Sequence, residues 1–112
     1  MPPVLIVTGG GRGIGAATAR LAARRGYAVC VNYLQDHEQA AKIVHEIERE
    51  NGRAISVQAD VSLEPDVVRL FETVDRELGR VTALVNNAAT LEPQARLDSM
   101  DAARLQRVLA TL

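Results

Sequence analysis

A dense group of glycines near the start of the chain has the spacing of a phosphate-binding turn. The group follows the apolar run Val4–Val7 and opens an alanine-rich stretch of helical character. In a strand–turn–helix of this kind, backbone N–H groups face a pyrophosphate and the helix N-terminus adds partial positive charge. Two spacings fit, G-x-G-x-x-A from Gly11 and T-G-x-x-x-G-x-G from Thr8. The residues expected at the phosphates are Thr8, Gly9, Gly11, Arg12, Gly13, Ile14 and Gly15.

The residues after the second apolar run bear on which dinucleotide such a turn would bind. NAD-selective enzymes usually place an acid there, about 20 residues past the glycines, to bond the ribose 2′-hydroxyl. Here Asn32 and Tyr33 stand at that place, and the next carboxylate is Asp36. Arg12 offers a guanidinium that can bind a 2′-phosphate with two hydrogen bonds, the alternative being a solvated surface charge. The sequence favours a dinucleotide site over an ordinary glycine-rich loop. Of the two cofactors, it favours NADP, with NAD as the second choice.

Short apolar runs alternate with helical patterns along the whole chain. The runs are Val4–Val7, Ala28–Asn32, Ala54–Val57 and Val81–Val85. They show little period-two alternation, as expected for parallel strands covered on both faces. Helices are expected at 13–25, from an Asp36 cap to Asn51-Gly52, from near Ser62 to Gly79, and from Asp101 onward. This alternation predicts an α/β fold, a Rossmann-type doubly wound parallel sheet with strand order 3-2-1-4 and flanking helices.

Two later segments make the chain resemble a known family. Asp60-Val61 follows the third run and Asn86-Asn87-Ala88-Ala89 follows the fourth. Together with the glycine spacing, and in the same order, they resemble the motifs of the short-chain dehydrogenase/reductase family. The resemblance implies that the Asp60 carboxylate accepts a hydrogen bond from the adenine amino group and that the Val61 N–H donates to the ring. Asp60 could instead be only a turn residue ahead of the third helix.

The resemblance also assigns the nicotinamide side of the site. The family signature there is Asn-Asn-Ala-Gly, so Ala89 replaces the usual glycine. Asn87, Ala88 and Ala89 would line the nicotinamide, and Thr8 would bond across to their turn. The alternative is that Thr8 and Asn87 only tie the first strand to the fourth. In the family, a basic residue at the place of Arg12 accompanies NADP use, and an Asn-Tyr ending occurs in members that accept both cofactors.

The activity implied by the resemblance is hydride transfer between a nicotinamide and a small carbonyl or alcohol. The family's proton transfer needs a Tyr-x-x-x-Lys pair and a serine. The single lysine is Lys42, preceded four places earlier by Glu38, so no catalytic residue is assigned. We therefore expect residues 1–112 to be one Rossmann domain that ends early, the cofactor-binding part of a homo-oligomeric enzyme, and to be inactive alone. The alternative is a non-catalytic nucleotide-binding or interaction module ending at Leu112.

Composition and charge bear on which kinds of partner and which location the chain is expected to have. The net charge of −1 gives no electrostatic footprint for nucleic acid or an anionic membrane. No apolar stretch approaches the ~20 residues that a membrane helix needs, and the start lacks the features of a signal peptide, so a cytoplasmic location is expected. Cys30 is expected to be buried. His37 and His45, eight residues apart without cysteine partners, are expected on a solvated helix face rather than at a metal.

Overall fold

A computed structural model describes residues 2–9, 11 and 13–87 of the chain. Strands and helices alternate along these residues, and the four strands form one parallel sheet in the order β3-β2-β1-β4. The elements are β1 (Val4–Thr8), α1 (Gly13–Arg24), β2 (Ala28–Tyr33), α2 (His37–Arg49), β3 (Ala54–Gln58), α3 (Glu64–Glu77) and β4 (Val81–Asn86). The predicted Rossmann-type architecture and strand order are confirmed. The helix expected from Asp101 lies outside the described residues.

The two central strands, β1 and β2, are apolar because both faces of the sheet are covered where they lie. Alternate residues of β1 and β2 point to opposite sides, as the period of two requires. Ile6 and Cys30 pack with Phe71 of α3 on one side. On the other side, Val7 packs with Ile43 of α2 in a core that α1 also joins. This two-sided burial explains why the runs of β1 and β2 show so little alternation in the sequence, whereas the residues of β4 are half-buried or exposed.

Local sequence signals set most of the helix ends. The Asp36 side chain accepts a hydrogen bond from the Gln39 N–H at 3.2 Å, so the predicted cap of α2 is present. Gly26 follows α1 with φ 94°, a left-handed conformation that favours glycine after a helix. The third helix, expected from near Ser62, begins at Glu64, because Ser62 itself takes part in a turn after β3. Among the described residues, no helix combines the length and apolar character needed to cross a bilayer.

Strand register brings the loops of interest to one edge. Thr8, at the end of β1, pairs with Asn86 at the end of β4. On the other side, Tyr33 at the end of β2 pairs with Gln58 at the end of β3. In open parallel sheets, ligands bind outside the carboxyl ends of the strands, where the chain leaves neighbouring strands in opposite directions. In this sheet that place lies between β1 and β4.

Candidate dinucleotide-binding site

The turn between β1 and α1 has the backbone that the glycine motif predicts. Gly9 has φ 62° and Gly13 has φ 52°, values in the left-handed region that glycine adopts without the penalty of a Cβ. α1 begins directly at Gly13, and its first turn carries no acidic side chain. The positive end of the helix dipole therefore keeps its attraction for an anion such as a pyrophosphate.

Some of the other residues of this turn are buried and one is exposed to solvent. Gly11 and Gly15 are buried, whereas Ile14 is 78% exposed. A Cβ built on Gly11 would lie 3.4 Å from the backbone nitrogen of Ala40, so the turn packs closely against the start of α2. Arg12, predicted to bind a 2′-phosphate, lies outside the described residues.

An open recess is lined by residues of the glycine turn, α1 and the start of α2. Its lining residues are Gly11, Gly13, Ala16, Arg20, Asp36, Gln39 and Ile43. Charges of both signs border it, because Arg20 and Asp36 are both lining residues. The Arg20 guanidinium also pairs with Glu46 of α2 at 2.6 Å. The Arg20 guanidinium lowers the pKa of Glu46, which keeps this carboxylate ionised. The role of Asp36 as a recess residue was not evident from its position three residues beyond β2.

At the end of β2, the side chain of Asn32 points toward β3. Asn32 is 3% exposed, and its Nδ2 donates hydrogen bonds of 3.2 Å to the carbonyls of both Val57 and Ala59. Tyr33 is half-buried, and its ring meets the ring of His37 edge-on at a centroid distance of 5.6 Å. Asn32 therefore ties two strands together, a role that the sequence pattern does not reveal.

A tight turn follows β3 and holds Asp60 and Val61. The Leu63 N–H donates to the Asp60 carbonyl at 3.0 Å and closes the turn. The Asp60 carboxylate accepts from both the N–H and the hydroxyl of Ser62, at 2.9 and 2.6 Å. Val61 occupies the second position of this turn, where its N–H takes no part in the closing hydrogen bond.

The end of β4 is bonded to Thr8. The Thr8 hydroxyl is buried, accepts from the Asn87 N–H at 2.7 Å and lies 3.1 Å from Asn86 Oδ1. The expected contact between Thr8 and this turn is thus present. Ala88 and Ala89, expected at the nicotinamide, lie outside the described residues.

These placements gather most of the predicted residues at the carboxyl edge of the sheet. The described members are Thr8, Gly9, Gly11, Gly13, Ile14, Gly15, Asn32, Tyr33, Asp60, Val61 and Asn87. The glycine turn supplies backbone N–H donors and a helix N-terminus, while Asp60 supplies a hydrogen-bond acceptor. Together these groups suit the phosphates and the adenine of a dinucleotide. Within residues 2–9, 11 and 13–87, no three His, Cys, Asp or Glu side chains cluster as metal ligands.

Comparison with known proteins agrees with this geometry. The family model described as short chain dehydrogenase matches residues 3–111. An uncharacterized oxidoreductase of Escherichia coli K12, YgfF, is 44% identical over 108 residues, which cover 96% of this chain and 44% of that protein. The short-chain dehydrogenase/reductase homolog YusS of Bacillus subtilis 168 is 38% identical over 100 residues, covering 89% of this chain and 91% of YusS.

A solved structure is also similar. The crystal structure of a short chain dehydrogenase from Burkholderia cenocepacia J2315 in complex with NADP superposes with a TM-score of 0.81 at 30% identity, covering 97% of this chain and 50% of that one. This chain therefore spans about half of that protein, and less than half of YgfF. The chain belongs to the short-chain dehydrogenase/reductase family.

Proposed function

We propose that these 112 residues bind NADP(H) in preference to NAD(H) and serve as the cofactor-binding part of an oxidoreductase. The bound nicotinamide would exchange a hydride with a small carbonyl or alcohol. The observation that carries the proposal is the turn from β1 into α1, where left-handed Gly9 follows β1 and left-handed Gly13 opens a helix with no acid in its first turn. Such a turn favours the pyrophosphate that both dinucleotides share.

The chain's own residues would divide the dinucleotide among them. The turn Gly9–Gly15 would hold the pyrophosphate. Asp60 and Val61 would hold the adenine, and Asn87, Ala88 and Ala89 would border the nicotinamide. Thr8 would act through the β4 turn, since its hydroxyl holds the Asn87 N–H. Each group would bind or orient the cofactor, and none of them would transfer a proton.

Preference for NADP would depend on charge near the ribose. Arg12 in the glycine turn would bind the 2′-phosphate with its guanidinium. The similar short chain dehydrogenase from Burkholderia cenocepacia was crystallised with NADP, which supports NADP as the cofactor. Asn32 would act indirectly by holding β2 against β3, because its amide donates to two β3-side carbonyls. Asp36 caps α2, so its charge is partly compensated by the helix N-terminus.

Catalysis would need groups beyond those assigned here. General acid catalysis typically contributes about 10²–10⁴-fold, and the family's Tyr-x-x-x-Lys pair does not occur in residues 1–112. We expect this chain alone to bind the dinucleotide without turning over a carbonyl or alcohol. The proposal includes a cytoplasmic location, from composition, and a homo-oligomeric state, from the family resemblance.

Fluorescence titration with NADPH and NADH tests the proposal. Arg12→Ala should weaken NADPH binding by about 1.5–3 kcal/mol, the worth of a charge-assisted hydrogen bond, and should affect NADH much less. Arg76→Ala is a matched control, because that side chain is 68% exposed on α3 and pairs only with its neighbour Glu77 at 3.6 Å among described contacts. Equal loss for both dinucleotides would refute the assignment of Arg12. Failure of the folded chain to bind either one would refute the proposed function.

A further inference from the structure

The turn that follows β3 is held by side chains that the family motif does not include. Ser62 donates two hydrogen bonds to the same oxygen, Oδ1, of the Asp60 carboxylate: its N–H at 2.9 Å and its hydroxyl at 2.6 Å. The shorter contact lies in the range of charge-assisted O–H···O⁻ bonds. Two donors on one oxygen restrict rotation of the carboxylate about its Cα–Cβ and Cβ–Cγ bonds, so Ser62 fixes its orientation.

The backbone of Asp60 is held separately, from α3. The Asp66 Oδ2 accepts a hydrogen bond from the Asp60 N–H at 2.8 Å. The Asp66 side chain is 27% exposed, so this charge-assisted bond is partly shielded from water. One residue of the turn thus receives a fixed backbone from Asp66 and a fixed carboxylate from Ser62.

The same helix also holds the end of β3. The Arg69 guanidinium donates to the carbonyl of Gln58 at 2.8 Å and lies 3.6 Å from Asp66 Oδ2. Asp66 and Arg69 are three residues apart and therefore share one face of α3. Through this pair, α3 connects the last residue of β3 to the turn that carries Asp60.

We infer that Ser62 and Asp66 are positioning residues of the adenine subsite. They hold the Asp60 carboxylate and backbone in the orientation that accepts the adenine amino group. The inference rests on the proposed function, because it assumes that a dinucleotide binds with its adenine at Asp60. It goes further by making selectivity for adenine depend on two residues that need not touch the cofactor.

The test compares NADPH with its hypoxanthine analogue, in which an oxo group replaces the adenine amino group. A hydrogen bond to a charged acceptor corresponds to roughly tenfold or more in affinity, so the wild-type chain should prefer NADPH by about that ratio. Ser62→Ala should lower the ratio at least about threefold, and Ser62→Thr, which keeps a hydroxyl, should retain it. Thr73→Ala is the control, because its hydroxyl donates to the Arg69 carbonyl within α3 and should leave the ratio unchanged.

Asp66 supplies a second and independent test in case Ser62→Ala does not fold. Asp66→Ala removes the acceptor for the Asp60 N–H and should lower the ratio. Asp66→Asn keeps an acceptor oxygen and should preserve most of it. If the alanine variants bind both dinucleotides more weakly but with the wild-type ratio, Ser62 and Asp66 only stabilise the fold and the inference is wrong.

The wild-type result separates the inference from the proposed function. If the wild-type chain binds NADPH and its hypoxanthine analogue with equal affinity, the inference and the adenine role of Asp60 are wrong, while dinucleotide binding stands. Binding of neither by the folded chain would overturn the proposed function, and the inference with it.

Discussion

Changing Asn32 to aspartate tests whether the end of β2 serves the cofactor or the neighbouring strand. An acid at this place in a dinucleotide fold usually bonds the ribose 2′-hydroxyl, so Asn32→Asp would be expected to favour NAD. The side chain is, however, 3% exposed and donates from Nδ2 to the Val57 and Ala59 carbonyls. Aspartate has nearly the same shape but no N–H. We therefore expect loss of stability to dominate the phenotype.

The size of the loss follows from the two hydrogen bonds. Each neutral bond contributes about 0.5–1.5 kcal/mol net, so losing both costs roughly 1–3 kcal/mol. A buried carboxylate directed at two carbonyl oxygens adds repulsion and a desolvation cost, which brings the expected total to about 3 kcal/mol or more. A domain is typically stable by only ~5–15 kcal/mol. At ~4–8 °C per kcal/mol for a chain of this size, the melting temperature should fall by roughly 12–24 °C.

The loss should depend on pH in a defined direction. Burial and the two carbonyl oxygens raise the pKa of the introduced carboxyl above the ~3.9 of an unfolded aspartate. Once protonated, it can donate to one of the two carbonyls. The variant should therefore be least destabilised at low pH, and it should lose stability as pH rises from the unfolded pKa through the raised folded pKa.

Urea unfolding followed by circular dichroism measures both effects. The wild type, Asn32→Asp and the control Gln35→Glu are compared at about pH 5 and about pH 8, with the larger Asn32→Asp deficit expected at the higher pH. Gln35 is exposed, so the same change of amide to carboxylate there should cost little. An Asn32→Asp chain as stable as the wild type, with raised affinity for NADH, would refute the reasoning. That result would mean that the side chain faces the ribose.

Two further outcomes are expected. Thr8→Val leaves the Asn87 N–H without its hydroxyl acceptor, so it should lower the free energy of unfolding in urea by about 1–3 kcal/mol and weaken NADPH binding. Thr8→Ser should keep the wild-type stability and affinity. An unchanged free energy of unfolding in Thr8→Val would contradict this. Cys30 is fully buried and its pKa is raised to about 12 by desolvation, so the folded chain should resist iodoacetamide at about pH 8 until urea exposes the thiol. Mass spectrometry measures the labelling, and rapid modification of folded protein would count against the buried position.

The sheet could be predicted because its signals are local and redundant. Four apolar runs separated by helical patterns leave few alternatives once connections are short and right-handed. The cap at Asp36 and the stop at Gly26 follow from the chemistry of single residues. The third helix was expected from near Ser62 and begins at Glu64, because Ser62 lies in the turn after β3 and donates to the Asp60 carboxylate there. That contact depends on how the backbone turns after β3, which the residue types alone do not show.

The site was predictable as a set of backbone positions and less so as a set of side-chain directions. Thr8 was expected to reach the β4 turn, since both family motifs end at the same sheet edge, and its hydroxyl does so. The direction of Asn32 depends on the pairing of Asn32 with Val57, which no property of β2 alone encodes. The place of Asp36 in the recess likewise depends on how closely Gly11 lets α2 approach.

Two of the loops at the carboxyl edge have one structural feature in common, because each is held by side chains from neighbouring elements. Thr8 of β1 holds the turn after β4, while Asn32 of β2 and Asp66 of α3 hold the segment after β3. These bonds are internal to the protein, so the loops do not need a cofactor to acquire them. Ordering loops and side chains is one of the main costs of binding. Because these contacts order the loops during folding, binding a dinucleotide costs less conformational entropy, and the affinity is correspondingly higher.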